Sequence, residues 1–511
     1  MLKNYKKILS IISYIFLFEL ISLFGYLLPD FRQFSFIIIA FLFLLISLKD
    51  YRLGILILLV ELIIGSKGYL FYFKYDGLLV SFRIYMWLIV MSICFSSFLL
   101  KIVNSKKYKV NDLKKKVLDI SKNKNLFALA VLFVFIFWGL VNGLLNRNSF
   151  SNLFFDFNAW LYFLLVFPLL SFAGLKPLEG FKNNLDAIFT IFVVSVLWLI
   201  IKTYILLFIF SHNMLSVIPE LYRWVRTTGV GEITSMEGGF YRIFFQSHVF
   251  LLLAFFIVLV FLNSKLKGLK ENFFKKTYLL FLSLSLILSI ILITFSRSFW
   301  VGLLSGVLLF FMYEIFYKKC CLKNFLKISL LLFLSLISSV IIIVGIVKFP
   351  YPNSIGNFST TQLLSERAKQ ISGEAGVSSR WLLLPKLMDE IKDSYILGKG
   401  FGAIVTYKTE DPRILETSAN GIYSTYAFEW GWLDIWLKLG FFGLFVYIVL
   451  SGFLVIEGLK SKKEINNAFS IGFFSVLVVS IFSPYMNHPL GIGLLLVFLV
   501  YLIKSNKLSF F

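Results

Sequence analysis

Long unbroken apolar runs dominate the chain, and short polar segments separate them. A membrane barrel would alternate apolar and polar positions over about ten residues per strand. These runs are continuous, and a helix needs about twenty apolar residues to cross the hydrocarbon core. The pattern predicts about fourteen membrane helices, at 8–28, 34–48, 53–66, 79–100, 126–145, 153–173, 185–210, 242–263, 277–295, 299–317, 328–349, 432–456, 468–483 and 489–503. The second, third, thirteenth and fourteenth are short for a straight crossing. The expected fold class is all-α, a polytopic membrane protein with one integral membrane domain. Helices 1–11 occupy 1–349, a large loop with short helices occupies 350–431, and helices 12–14 occupy 432–511.

Composition removes the competing classes. Of 511 residues, 59% are hydrophobic and only 15% are charged, against about 25% charged in soluble chains. Disorder, coiled coil, a disulfide scaffold and a soluble enzyme are all excluded. Net charge is +23, from 50 basic and 27 acidic residues. In a soluble chain that would suggest nucleic acid. Here the basic residues follow the span order. With the N-terminus inside, Lys3, Lys6 and Lys7 and the lysine-rich stretches 101–124, 265–276, 318–327 and 460–463 all fall on the cytoplasmic side. The short loops of the other side hold only Arg32, Lys67, Lys74, Arg147, Arg223, Arg226 and Arg297. That is the positive-inside pattern. It predicts the cytoplasmic (inner) membrane, both termini cytoplasmic and the large loop outside. The excess charge then reads as orientation plus attraction to anionic membrane lipids, with no nucleic-acid partner. The apolar run to Leu28 has no small-residue cleavage site after it, so it reads as a retained first helix. Cys94, Cys320 and Cys321 form no metal-ligand spacing, and no metal is expected.

The unusual polar features gather on the outer side. Arg242 opens the eighth span. Arg297 lies in Ser296-Arg297-Ser298, a tight turn between the ninth and tenth spans. Arg380 begins a loop helix carrying Trp381, Leu384, Leu387, Met388 and Ile391 at helical spacing behind Ser378-Ser379, its expected N-cap. Three guanidiniums on one membrane face suggest an anion site, because the planar fork suits phosphate and keeps its charge. For each arginine alone the competing reading is snorkelling to the headgroups. Gln246 follows Arg242 by one expected helical turn and would share its face. Asp434 and Lys438 are four apart and read as an ion pair; Glu19, Glu61, Arg83, Asp156 and Lys202 are intramembrane charges expected to pair with one another.

Three segments, in order, resemble the O-antigen ligase and O-antigen polymerase superfamily. They are 291–309 (ILITFSRSFWVGLLSGVLL), 378–402 (SSRWLLLPKLMDEIKDSYILGKGFG) and 429–445 (EWGWLDIWLKLGFFGLF). The first is similar to the family's serine-arginine hairpin, the second to its loop helix and glycine-rich turn, and the third to its re-entry into the membrane. The resemblance covers roughly 240–450. It implies a metal-independent glycosyltransferase, without cofactors, that takes glycan from an undecaprenyl-diphosphate carrier and passes it to a glycan or lipid acceptor. It implies roles for Arg242 and Arg297 in catalysis; Arg380 and Gln246, from the outer-side anion site read above, are the substrate-binding candidates. Ligases of the family place a histidine nine residues and a polar position ahead of Gly-x-x-Gly; counted back from Gly440, that frame holds Glu429 and Trp430 here. Glu429 is therefore the candidate proton acceptor, with His212 and His488 as other outer-side bases. A transporter or flippase of a lipid-linked glycan is the alternative. Transporters often show two related halves and midplane sites, and neither is visible in this chain.

Overall fold

The computed structural model describes residues 2–75, 78–104, 123–212, 214, 216–236, 239–267, 273–352, 375–409, 412–415, 418 and 420–505. Lys106 to Lys122, Lys270 and residues 353–374 of the large loop lie outside the described residues. All fourteen expected stretches contain helix. In chain order these are α1 (Leu2–Leu27), α2 (Pro29–Lys49), α3 (Tyr51–Ile64), α4 (Phe82–Asn104), α5 (Lys124–Leu145), α6 (Phe150–Trp160), α7 (Val166–Gly174) and α8 (Asn184–Ser211). A short α9 (Ile218–Thr227) precedes α10 (Val249–Lys267), α11 (Phe273–Ile293), α12 (Arg297–Met312) and α13 (Leu322–Val347). The loop contributes α14 (Ala375–Asp393) and α15 (Pro412–Leu415), and α16 (Gly431–Lys460), α17 (Glu464–Phe482) and α18 (Pro489–Ser505) complete the bundle. A 3₁₀ turn, Leu161–Leu165, joins α6 to α7, and together they make one apolar stretch. Among the described residues, 11 helices are long and apolar enough to cross a membrane, and Thr277–Ile293 and Pro489–Ser505 are shorter apolar helices.

Helix α10 is apolar on every side, and such a helix belongs inside. It packs against α11 and α17, while α17 also packs on α12 and α16. Helices α16 and α5 form a second tight pair. The charges inside this apolar mass are paired. Lys202 Nζ donates to Glu19 Oε1 at 2.7 Å, and Arg83 donates to both carboxylate oxygens of Glu61, at 2.7 and 3.1 Å. Pairing is what a low-dielectric interior demands of them, since an isolated charge there would cost several kcal/mol.

Three two-stranded hairpins cap one end of the bundle: β1 (Tyr72–Tyr75) with β2 (Leu78–Ser81), β3 (Gly231–Ser235) with β4 (Tyr241–Phe245), and β5 (Val405–Lys408) with β6 (Ile422–Thr425). None was expected from the sequence. The stretch 241–245 reads YRIFF, aromatic and β-branched residues that favour a strand but also look like the start of an apolar run. The eighth span therefore begins at Gln246, not Arg242. The helical-turn relation between Arg242 and Gln246 falls with it. Arg242 stands on the strand face opposite the buried Ile243 and Phe245, and Gln246 opens the 3₁₀ turn Gln246–His248 that follows. Two smaller corrections accompany this one. Helix α14 starts at Ala375, so Ser378 and Ser379 lie within it rather than capping it; Ser379 Oγ instead meets the Tyr407 hydroxyl at 2.8 Å. The turn before α12 is Thr294–Ser296, with Phe295 in the left-handed region at φ 45°, and Arg297 is the first helical residue.

Candidate active site

Contacts between loops identify the end of the bundle where the site lies. Ser66 meets Ser247 at 2.8 Å, Ser298 meets Ser483 at 3.3 Å, and Asn148 donates to Phe401 O at 2.8 Å. Arg242 lies on the outward face of β4. Its Nε donates to Thr294 O at 2.7 Å, the carbonyl of the turn that delivers Arg297. One side chain thus fixes the strand and the helix start against each other.

The structure brings the three arginines together. Arg242 and Arg297 lie within electrostatic reach of each other, and both lie within reach of Arg380. Burial holds the Arg242 guanidinium below its ordinary value; Glu232 opposes that shift and Arg297 adds to it. Burial does the same to Arg380, Arg242 and Arg297 push it further down, and Glu232 opposes them. Glu232, on β3, is the acid that sequence reading missed. It lies 10 residues from Arg242 in the chain, and hairpin pairing brings them together, with Thr234 directly opposite Arg242.

Glu429 and Trp430 both engage Arg380. Glu429 forms an ion pair with the guanidinium, and Trp430 Nε1 donates to the Arg380 carbonyl at 3.1 Å. Arg380 Nε, which makes the pair, is buried, while 38% of the Arg380 side chain and 49% of the Glu429 side chain are exposed at the rim. Gln246 is half-buried in the 3₁₀ turn that follows β4. The histidines are placed less favourably for proton transfer. His212 is buried, with its ring nitrogens against the carbonyls of Phe208 and Phe349. Burial, together with Arg83 and Lys67, pushes His488 down to about 3.

A glycine-rich loop, 397–402, threads between helices next to this site. Asn142 Nδ2 donates to Gly398 O, Asn146 and Asn148 donate to Lys399 O, and Trp138 Nε1 donates to Leu397 O. Backbone bonds join Lys399 N to Leu437 O at 2.6 Å and Phe401 N to Gly139 O at 3.0 Å. Helix α16 breaks its regular geometry at Gly440, φ 72°, where the loop crosses it. Gly402 N donates to Asp156 Oδ2 at 2.9 Å. The other oxygen of Asp156 accepts from Lys438 Nζ at 2.6 Å, and Lys438 lies 2.6 Å from Asp434 Oδ1. The expected pair of Asp434 and Lys438 is therefore part of a three-membered cluster. Among the described residues no group of three or more His, Cys, Asp or Glu side chains could hold a metal ion.

No curated protein and no solved structure matches the chain. It is with the O-antigen ligase family that the chain is matched, over residues 282–448, a segment that runs from α11 through Arg297, Arg380 and Glu429 into α16.

Proposed function

We propose that the protein is an O-antigen ligase-like membrane glycosyltransferase. It transfers or polymerises glycan from an undecaprenyl-diphosphate carrier on the outer face of the cytoplasmic membrane, for surface polysaccharide assembly. The observation that carries this reading is the convergence of Arg242, Arg297 and Arg380 at one end of an apolar bundle. A lipid diphosphate presents its charge where the hydrocarbon ends, and arginine forks bind such groups bidentately. The acceptor hydroxyl attacks the anomeric carbon, and the bond to the carrier phosphate breaks. The arginines receive the charge that develops on the leaving diphosphate. Glu429 takes the acceptor proton, held in place by Arg380. Gln246 and Arg380 contact substrate beside them. The membrane part, 1–349 and 432–511, acts as one domain, and α14 and the β5–β6 hairpin of the large loop stand on its outer side.

Chelation tests the charge assignment. EDTA leaves turnover of purified protein unchanged, because guanidiniums rather than a divalent ion neutralise the diphosphate. Complete loss, restored by magnesium or manganese, would place the protein in another transferase class. Sidedness is checked in whole cells with a membrane-impermeant maleimide. Lys408→Cys reacts, since this loop position is exposed whereas the adjacent Thr409 is buried. The native Cys320 and Cys321 do not react until the membrane is opened. A Lys408→Cys variant that stays unlabelled in intact cells overturns the outer-face reading.

A further inference from the structure

Two carboxylates and one ammonium share a site at the head of α16. Lys438 Nζ lies 2.6 Å from Asp156 and 2.6 Å from Asp434, and the three side chains are 2%, 9% and 2% exposed. The cluster holds one negative charge more than it neutralises. The remaining contacts are hydrogen bonds rather than cations: Asn487 Nδ2 donates to Asp434 Oδ2, and Gly402 N donates to Asp156 Oδ2. Asp434 Oδ1 lies as close to the ammonium as Asp156 Oδ1 does. The three N–H donors of Lys438 serve both carboxylates. Two buried carboxylates sharing one ammonium, with net charge −1, are a place where a proton is held at low cost. Protonation there leaves a neutral cluster in a low-dielectric setting, which burial favours.

The cluster also has a connection to the site. Asp434 N donates to Trp430 O, so Asp434 lies one helical turn beyond the residue that follows Glu429. Tyr426, half-buried and three residues before Glu429, lies within electrostatic reach of Asp156 and Lys438 and of the hydroxyls of Tyr69 and Tyr423. Burial and Asp156 push its phenol up, so it stays protonated and can both give and receive a proton. His488, next to Asn487, faces Arg83 and Lys67 instead. Glu429 is a poor final holder, because its ion pair with Arg380 favours the charged carboxylate.

We propose that the Asp156–Lys438–Asp434 cluster stores the acceptor's proton during each transfer, with Tyr426 as the hydroxyl that links it to Glu429. This rests on the transferase reading above. The acceptor O–H bond breaks as its oxygen bonds to the anomeric carbon. The anomeric carbon–oxygen bond breaks, and its electron pair leaves with the diphosphate. Glu429 takes the proton and passes it through Tyr426 to the Asp434 or Asp156 carboxylate, so the cluster goes from −1 to 0. The proton returns to water by the same route before the next turnover. Asp156, Asp434 and Tyr426 are positioning residues, since they act through Glu429.

The test uses the full-length protein and carrier-linked glycan extracted from cells that lack it, with undecaprenyl diphosphate as the binding probe. Asp434→Asn and Asp156→Asn each leave one lysine with one carboxylate, a neutral pair, so both variants fold. Each is expected to lose about a hundredfold in kcat with KM for the donor and binding of undecaprenyl diphosphate unchanged. The acid-side fall of the wild-type rate is lost as well. Tyr426→Phe loses about tenfold. Wild-type kcat and pH profile in Asp434→Asn would make the cluster a structural staple and end the proposal. Loss of carrier binding together with kcat would do the same. Wild-type protein that forms no product at all overturns the transferase reading, and the proposal with it.

Discussion

Arg297→Ala lowers turnover about a hundredfold, while the protein inserts and purifies like wild type. The size follows from what a well-placed donor contributes to a developing anion, about 3 kcal/mol. Arg297 is suited to that work because α12 starts at it, and the preceding turn is clamped through Thr294 O to Arg242. Arg297→Lys keeps the charge and loses the fork, so it falls between the two. Arg242→Ala does more damage. It removes a guanidinium from the cluster and leaves the Thr294 carbonyl without its donor, which costs about 1–3 kcal/mol of stability where water cannot reach. Arg297→Ala turning over at wild-type rate would mean that the side chain merely reaches for headgroups, and the anion site would be lost with it.

Gly400→Ala abolishes activity and lowers the melting temperature steeply. Gly400 has φ 76°, and a Cβ there would sit 2.0 Å from Gly143 N and 2.4 Å from Gly143 Cα. The left-handed conformation costs an L-residue about 1–2 kcal/mol. Forcing backbone from backbone adds about 1–3 kcal/mol more, and the sum is a large part of a typical folding free energy of about 5–15 kcal/mol. Gly452→Ala is the control. It lies within α16, and nothing is within 4 Å of its added Cβ, so stability stays level or rises slightly. Equal melting of Gly400→Ala and wild type would show that the loop does not thread between the helices as described.

The helices were legible because water enforces them. Apolar runs such as 185–210 and 328–349 have no alternative to helix inside a bilayer. The structure places helix at both, as Asn184–Ser211 and Leu322–Val347. The pairing of Glu19 with Lys202 and of Glu61 with Arg83 followed from the same cost of isolated charge, although only the structure assigns the partners. Strand β4 was hidden because YRIFF is apolar enough to pass for the first turn of a span. Glu232 was hidden for the same reason, since its closeness to Arg242 exists only once β3 and β4 pair. The arginines were individually visible as odd residues at span ends. Their meeting depends on a hairpin, a helix start and a loop helix arriving together, and no spacing rule encodes that. The ties of Asn142, Asn146 and Asn148 to the glycine loop were equally invisible, because backbone carbonyls carry no mark in the sequence.

Those asparagine ties have a consequence for biosynthesis. Asn142 leaves the ribosome 256 residues before Gly398, whose carbonyl it holds. At translation speeds of about 5–20 residues per second the wait is roughly 13–50 s. Lys399 needs Leu437 as well, so the loop seats only after α16 has entered the bilayer. A nascent chain thus carries Arg242 and Arg297 long before Arg380 and Glu429 are fixed beside them. Under the transferase function proposed above, the unfinished chain has no means to discharge a carrier lipid into water until synthesis is nearly complete.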